Sequence, residues 1–287
     1  MAALHFGCTA PENIPAADTI WLVGENLSHT RQAALLDEAK EAATLLKVDP
    51  FGPGEACAGI RVIATQPRHC GGLALVKAVA KRIVELDDLA LTAGRPRFLD
   101  TDFISHHTLG FYEFARDLRN ENWYILIEES GVDLDQIERI TRNVLVGKTV
   151  VACWDSRCSQ EIVQLLKCVM MMRGQITIPD GRLHFSVHGI DRNTSVHRAR
   201  RIYGKRLLSM IPGTHMPGGP GEALINLADI EMLGFKPGDL VDITTVTEDA
   251  SEHRIEGFRL VPSEIPRGCI STQDAETITP VLIQASA

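Results

Sequence analysis

TIWLVGENLSHTRQAALLDEAKEAATLLKVDP, residues 19–50, decides how the first half of the chain folds. Thr19 to Gly24 is a short apolar run containing Ile, Trp and Val, the texture of a parallel strand buried on both faces. Ser28 or Thr30 supplies a helix cap, and Leu35, Ala39, Ala42 and Leu46 recur at helical spacing. Leu45 to Asp49 then reads as a second strand, closed by Pro50 and the FGPGEA loop. The stretch predicts a βαβ unit whose first turn carries a single glycine, Gly24.

Outward from that unit, Ile60 to Thr65 has the character of a third strand, and Leu73 to Leu86 that of a helix opening after Gly71 and Gly72. Residues 98–143 are helical throughout in pattern, with Asp133 or Asp135 starting the last helix. Strand character returns at Thr149 to Trp154, followed by an apolar helix from Gln160 to Met172. The alternation predicts an α/β domain, a doubly wound parallel sheet with helical inserts, over residues 1–190. Residues 191–221 hold a basic segment and a linker rich in glycine and proline, IPGTHMPGGPGEA. Residues 222–287 predict a small β-rich domain. In it Asn226 caps the helix LADIEML, Gly234 ends it, and LVDITTVTED and HRIEGFRLVP alternate as strands.

The 287 residues are 45% hydrophobic and 23% charged, enough apolar matter for a sizeable core. A net charge of -8 argues against nucleic-acid partners, which require a basic field. No apolar run approaches a membrane span, and MAALHFGCTAPENIP has no secretory pattern, so a cytoplasmic location is expected. Seven cysteines without a C-x-x-C pair suit reduced thiols. The close pair Cys153 and Cys158 reads as buried structural thiols, with a metal or redox couple as the alternative.

The segments NLADIEMLGFKPGDLVDITT and IEGFRLVPSEIPRGCIS resemble the C-terminal dinucleotide-binding domain of molybdopterin-dependent oxidoreductases, the formate-dehydrogenase alpha-subunit branch in particular. VPSEIPRGC and the later Glu276 stand in the order of that branch's closing segment. FLDTDFISHHTLGFYEFARDLRNENWYILIEESGVDLDQIERI is similar to its helical stretch, residues 21–51 to its first βαβ, and VVACWDSRC with CVMMMRGQI to a second strand and helix. The resemblance implies a double-psi-type β-barrel at the C-terminus. It also implies catalytic members more than twice as long, with a four-iron cluster domain and a Cys-His pair at the metal. This chain reaches its first strand at Thr19 and contains no Cys-His dipeptide, so a shortened paralogue without catalytic residues of its own is expected.

The family cofactor is a pterin guanine dinucleotide, whose pyrophosphate meets helix N-termini and glycine-rich turns. The matching positions here are Gly24, Asn26, Asp49, Arg173 and Gly174, a residual cofactor-binding set. Leu27 and Ser28 replace the family's proline-glycine pair, and Cys70-Gly71-Gly72-Leu73 lacks its acid. Trp154 to Glu161 lacks its histidine, RGQITIPDG is two glycines poorer, and Ser271 to Ala275 replaces the tyrosines and proline. The expectation is that this chain holds no tight cofactor and no metal. It would pair, as a small beta-type subunit, with a larger catalytic molybdopterin subunit carrying molybdenum or tungsten. The alternatives are a carrier or insertion chaperone for the pterin dinucleotide, and a minimal molybdopterin oxidoreductase.

Other residues read more plainly. His184 and His188 share a strand face as polar positions or metal ligands, and of His106 and His107 one should pack and one be solvated. The basic run Arg192 to Arg206 reads as a solvated face, an acidic-protein contact or a pyrophosphate clasp. Asp155 and Arg157 have only their position to recommend them as acid–base groups.

Overall fold

The computed structural model describes residues 6–24, 35–39, 43–51, 60–155, 158–177, 183–184, 208–212, 219–246, 253–273, 275 and 279–286. The chain divides into two compact units, Met1–His188 and Gly189–Ala287.

In the first unit, short runs of apolar residues give β1 (Phe6–Cys8), β2 (Thr19–Val23), β3 (Thr44–Val48), β4 (Arg61–Thr65) and, after a helical stretch, β6 (Val150–Asp155). They form a five-stranded sheet in the order β1-β6-β2-β3-β4. Strands β6, β2, β3 and β4 are parallel, with Thr19 opposite both Thr44 and Val150, and β1 runs antiparallel to β6. Side chains alternate across the pleat, and both sides are covered. Trp21, Val23, Leu46, Val48, Val150 and Ala152 join the main core with helices α1 (Gly72–Thr92) and α6 (Gln160–Met172). Ile20, Leu22, Leu45, Val151 and Cys153 face the other way, against Ile14, Ala17, Leu35 and Leu36. Each fully buried Leu or Ile contributes about 1.5–3 kcal/mol, which is why a strand covered on both faces reads as an unbroken apolar run.

The helical stretch begins at α2 (Thr101–His107) and continues through α3 (Phe111–Asn120), α4 (Trp123–Ser130) and α5 (Leu134–Val146). Side-chain caps start most of these helices: Asp100 accepts from Phe103 N–H, Asn122 from Tyr124 N–H, and Asp133 from Gln136 N–H. Two buried lysines on α1 anchor α3. Lys77 Nζ lies 2.7 Å from Glu121, and Lys81 Nζ donates to the Leu118 and Arg119 carbonyls at 3.2 and 2.9 Å. Lys81 thus meets carbonyls that a helix leaves without partners at its C-terminus, while Lys77 pairs with a carboxylate just beyond it. Strand β5 (Thr108–Leu109) pairs in parallel with β7 (Leu183–His184) as a separate ribbon.

The second unit is a closed six-stranded barrel in the order β10-β11-β9-β12-β8-β13. Its strands are β8 (Leu208–Pro212), β9 (Glu222–Ile225), β10 (Leu240–Thr245), β11 (His253–Pro262), β12 (Cys269–Thr272) and β13 (Thr279–Ala285). The helix α7 (Leu227–Leu233) follows β9; Asn226 caps it and Gly234, at φ 82°, ends it. Leu208, Ile225, Val241, Ile243, Leu260, Ile270 and Val281 fill the interior. The barrel starts earlier than the sequence suggests. Residues 208–212 fall inside the stretch read as basic segment and linker, yet β8 pairs with both β12 and β13 and so closes the barrel.

One carboxylate joins three parts of that barrel. Asp242 on β10 accepts from the Ser286 hydroxyl, from the Arg254 guanidinium and, at 3.0 Å, from Gly257 N–H. The Ser286 and Arg254 hydrogen bonds hold its carboxyl down to a pKa of about 2. An unfolded Asp titrates near 3.9, so the stabilisation is present above about pH 4 and is lost as pH falls toward 2. The protection factors of the β10 and β11 amides, exchange rates corrected for the intrinsic pH dependence, should fall over that window. In Asp242→Asn that fall should flatten. An unchanged pH profile in the variant would show that Asp242 is not the titrating group.

Candidate functional site

Strand order places the candidate site. From β2 the chain steps outward through β3 and β4, then returns to β6 on the opposite side of β2. The carboxyl ends of β2 and β6 therefore border a topological switch point, where open α/β sheets bind ligands. Val23 lies opposite Trp154 at this edge, with Gly24 and the fully buried Asp155 next to them. Cys158 turns back over it, its Sγ donating to Val23 O at 3.3 Å and its N–H to Asp155 O at 3.0 Å.

The neighbouring strand ends continue the edge. Gly24 N–H donates to Val48 O at 3.0 Å, and Asp49 N–H to Thr65 O at 3.2 Å. The buried Asp49 carboxylate accepts from Phe51 N–H at 3.0 Å and stands 3.7 Å from Lys47 Nζ. After β4, the turn Arg68-His69-Cys70 leads into α1. Arg68 N–H donates to Ser130 O at 2.7 Å, and Gly71 N–H to Arg68 O at 2.7 Å. Cys70 takes a left-handed backbone, φ 60°, and its Sγ lies 3.3 Å from His69 Nδ1. The buried His69 ring meets the Phe51 ring edge-on at 5.9 Å. Gly71 is required by packing: a Cβ there would sit 2.8 Å from the Glu129 and Ser130 carbonyls at the end of α4.

Of the residues singled out in the sequence, Gly24 and Asp49 meet at this edge, and Asn26 lies outside the described residues. Arg173 and Gly174 lie elsewhere. They follow α6, and the Arg173 guanidinium donates to Phe98 O at 2.8 Å, Leu145 O at 3.1 Å and Gly147 O at 3.3 Å. Gly147 lies three residues before the start of β6, so Arg173 sits at the amino edge of the sheet. Five strand residues at about 3.3 Å each separate the two edges by roughly 17 Å, farther than one pyrophosphate reaches. Burial lowers the Arg173 pKa from its ordinary value, and Asp100 acts in the opposite direction. Gly174 closes the helix at φ 62°, where a Cβ would meet the Asp100 carboxylate. The described members of the set therefore do not converge as a cradle for a dinucleotide pyrophosphate.

Ser28, Thr30, Arg157, His188 and the basic run 192–206 lie outside the described residues, as does the His184 side chain. His106 and His107 are both exposed, although one was expected to pack. His106 Nδ1 is 2.8 Å from Asp102 O, and the His107 ring is 5.1 Å from Phe103. Among the described residues no three His, Cys, Asp or Glu side chains converge as a metal site. No helix among them is long and apolar enough to cross a membrane. The His69–Cys70 contact was not anticipated. Its only sequence signal is the His-Cys dipeptide ahead of Gly71 and Gly72.

No family model matches the chain. It is 31% identical over 165 residues to Protein YdeP of Escherichia coli strain K12, a match covering 54% of this chain and 22% of that protein. It is 24% identical over 212 residues to the uncharacterized oxidoreductase Rv2900c of Mycobacterium tuberculosis, covering 64% and 27% respectively. Among solved structures, the acetylene hydratase of Pelobacter acetylenicus superposes with a TM-score of 0.43 at 14% identity, over 56% of this chain and 22% of that one. The chain spans about a quarter of the length of the curated relatives it matches, and it is distantly related to a protein described as an oxidoreductase.

Proposed function

We propose that the chain is a subunit of molybdopterin-oxidoreductase architecture that pairs with and stabilises a larger, paralogous catalytic chain of the formate-dehydrogenase type. In this reading the sheet unit is doubly wound and the barrel is of the double-psi type. The pterin guanine dinucleotide, with molybdenum or tungsten, belongs to the larger cytoplasmic chain.

The observation that carries the proposal is the engagement of the candidate ligand groups by the fold itself. Gly24 N–H is bound into the sheet, Asp49 accepts from its own loop, and Arg173 is held by three carbonyls at the far edge. Donors already engaged in this way offer a pyrophosphate little, and a carboxylate filled by its own loop offers a guanine base little, without breaking those bonds. The VPSEIPRGC segment and the distant oxidoreductase relative support the architecture.

The test is affinity isolation of the tagged chain from its native host, followed by metal analysis. Co-elution with a chain more than twice its length, carrying equimolar molybdenum or tungsten, is the expected result. Recovery as a stable lone chain overturns it. A second reading, a carrier of the pterin dinucleotide, is favoured by the meeting of Gly24 and Asp49 at the sheet edge where such folds bind ligands. Mass spectrometry of the gently denatured chain separates the two: equimolar release of the dinucleotide from the chain alone supports the carrier.

A further inference from the structure

We propose that Cys8 and Cys153 form a peroxide-modifiable dithiol site that closes to a cross-strand disulfide between β1 and β6. The two residues are direct partners in the antiparallel ladder, and their Sγ atoms lie 3.1 Å apart. Ladder geometry favours the bond. Thr9 N–H donates to Ala152 O at 3.0 Å, so the next pair along, Cys8 and Cys153, falls at the position without backbone hydrogen bonds between its members. At such positions Cα atoms approach to about 4.5 Å, within the span a disulfide bridges.

The two thiols differ in access. Cys153 is fully buried among Ile20, Leu22 and Val151, whereas Cys8 is half-buried at the margin of that cluster. The hydrogen bond from Cys153 lowers the Cys8 pKa, against burial and the nearby Glu38, and the same contact raises that of Cys153. Attack therefore starts at Cys8. Its thiolate takes one oxygen from hydrogen peroxide and, with a proton, releases water, leaving a sulfenic acid. The Cys153 sulfur then displaces the hydroxyl, which leaves as a second water with the Cys153 proton, and the S–S bond forms. The sum is two thiols and one peroxide giving one disulfide and two waters. A small thiol attacking at Cys8 reverses the step. Cys158, the neighbour suggested by sequence spacing, takes no part, because its sulfur points to Val23 O.

The experiment is peroxide treatment of the full-length protein, alkylation under denaturing conditions and peptide mass mapping. A peptide joining Cys8 to Cys153, lighter by two hydrogens and cleaved by dithiothreitol, is expected, together with a melting temperature several degrees higher. Exposed Cys70 reports that oxidant reached the protein. In Cys153→Ala the sulfenic acid on Cys8 should persist and be trapped by dimedone; in Cys8→Ser the cross-link and the melting shift should both vanish. Oxidation of Cys70 with Cys8 and Cys153 both still alkylated overturns the proposal, as does a cross-link from Cys8 to any other cysteine.

Discussion

Asp87→Ala should lower the stability of the α/β unit by about 2–5 kcal/mol, the scale for leaving two backbone donors without their acceptor. Asp87 projects from α1 and is 1% exposed. One carboxylate oxygen accepts from Phe98 N–H at 2.8 Å and Leu99 N–H at 3.0 Å; the other accepts from the Arg97 guanidinium, with Nε at 2.9 Å. It thus fixes the chain reversal that carries α1 into α2. Truncation orphans two amides, one of them on the buried Leu99, and each unsatisfied donor costs about 1–3 kcal/mol. Arg97 is 37% exposed and regains water when its partner is lost, so Arg97→Ala should cost distinctly less. Asp87→Asn should fall between them, since it retains an acceptor for the two amides but turns an NH2 toward a cation. All three tryptophans lie in residues 1–188, so urea denaturation followed by tryptophan fluorescence reports on this unit. Equal midpoints for Asp87→Ala and Arg97→Ala would sink the account.

What could be read in the sequence was whatever is decided within about twenty residues. Thr19–Val23 and Gln160–Met172 were visible because double-sided burial demands apolar runs in a strand, and one long apolar helix packs between others. Asn226 and Gly234 marked α7 for a local reason too, an amide cap at one end and a left-handed residue at the other. Pairing between distant segments was not visible. β1 is three residues long and finds its partner 145 residues away, and β8 lay hidden between a basic run and a Gly/Pro loop. The candidate site divides in the same way. Gly24 and Asp49 end adjacent strands of one βαβ unit, so the local pattern brought them together. Arg173 has a side chain whose partners, Phe98 on one side and Leu145 with Gly147 on the other, belong to two other parts of the chain, and no local motif specifies them.

That difference makes Arg173 the second position where a large effect is expected. Arg173→Ala should destabilise the α/β unit by about 2–4 kcal/mol, because three carbonyls lose a charged donor and hydrogen bonds to charged groups are worth about 1.5–3 kcal/mol each before relaxation. The planar fork reaches Phe98 O through one terminal nitrogen and Leu145 O with Gly147 O through the other. A lysine ammonium cannot reproduce that geometry, so Arg173→Lys should recover only part of the loss. A ligand that binds only the folded state raises stability by mass action, which separates structural from ligand-binding roles. If Arg173 serves the fold, a guanosine nucleotide or pyrophosphate should shift the melting temperatures of wild type and Arg173→Lys equally, whether by several degrees or by none. A ligand-induced shift in wild type that disappears in Arg173→Lys would instead place the arginine on the ligand. It would also require the α6 terminus to rearrange, because the guanidinium cannot leave Phe98 O and Leu145 O without exposing both ends of the helical layer it now joins.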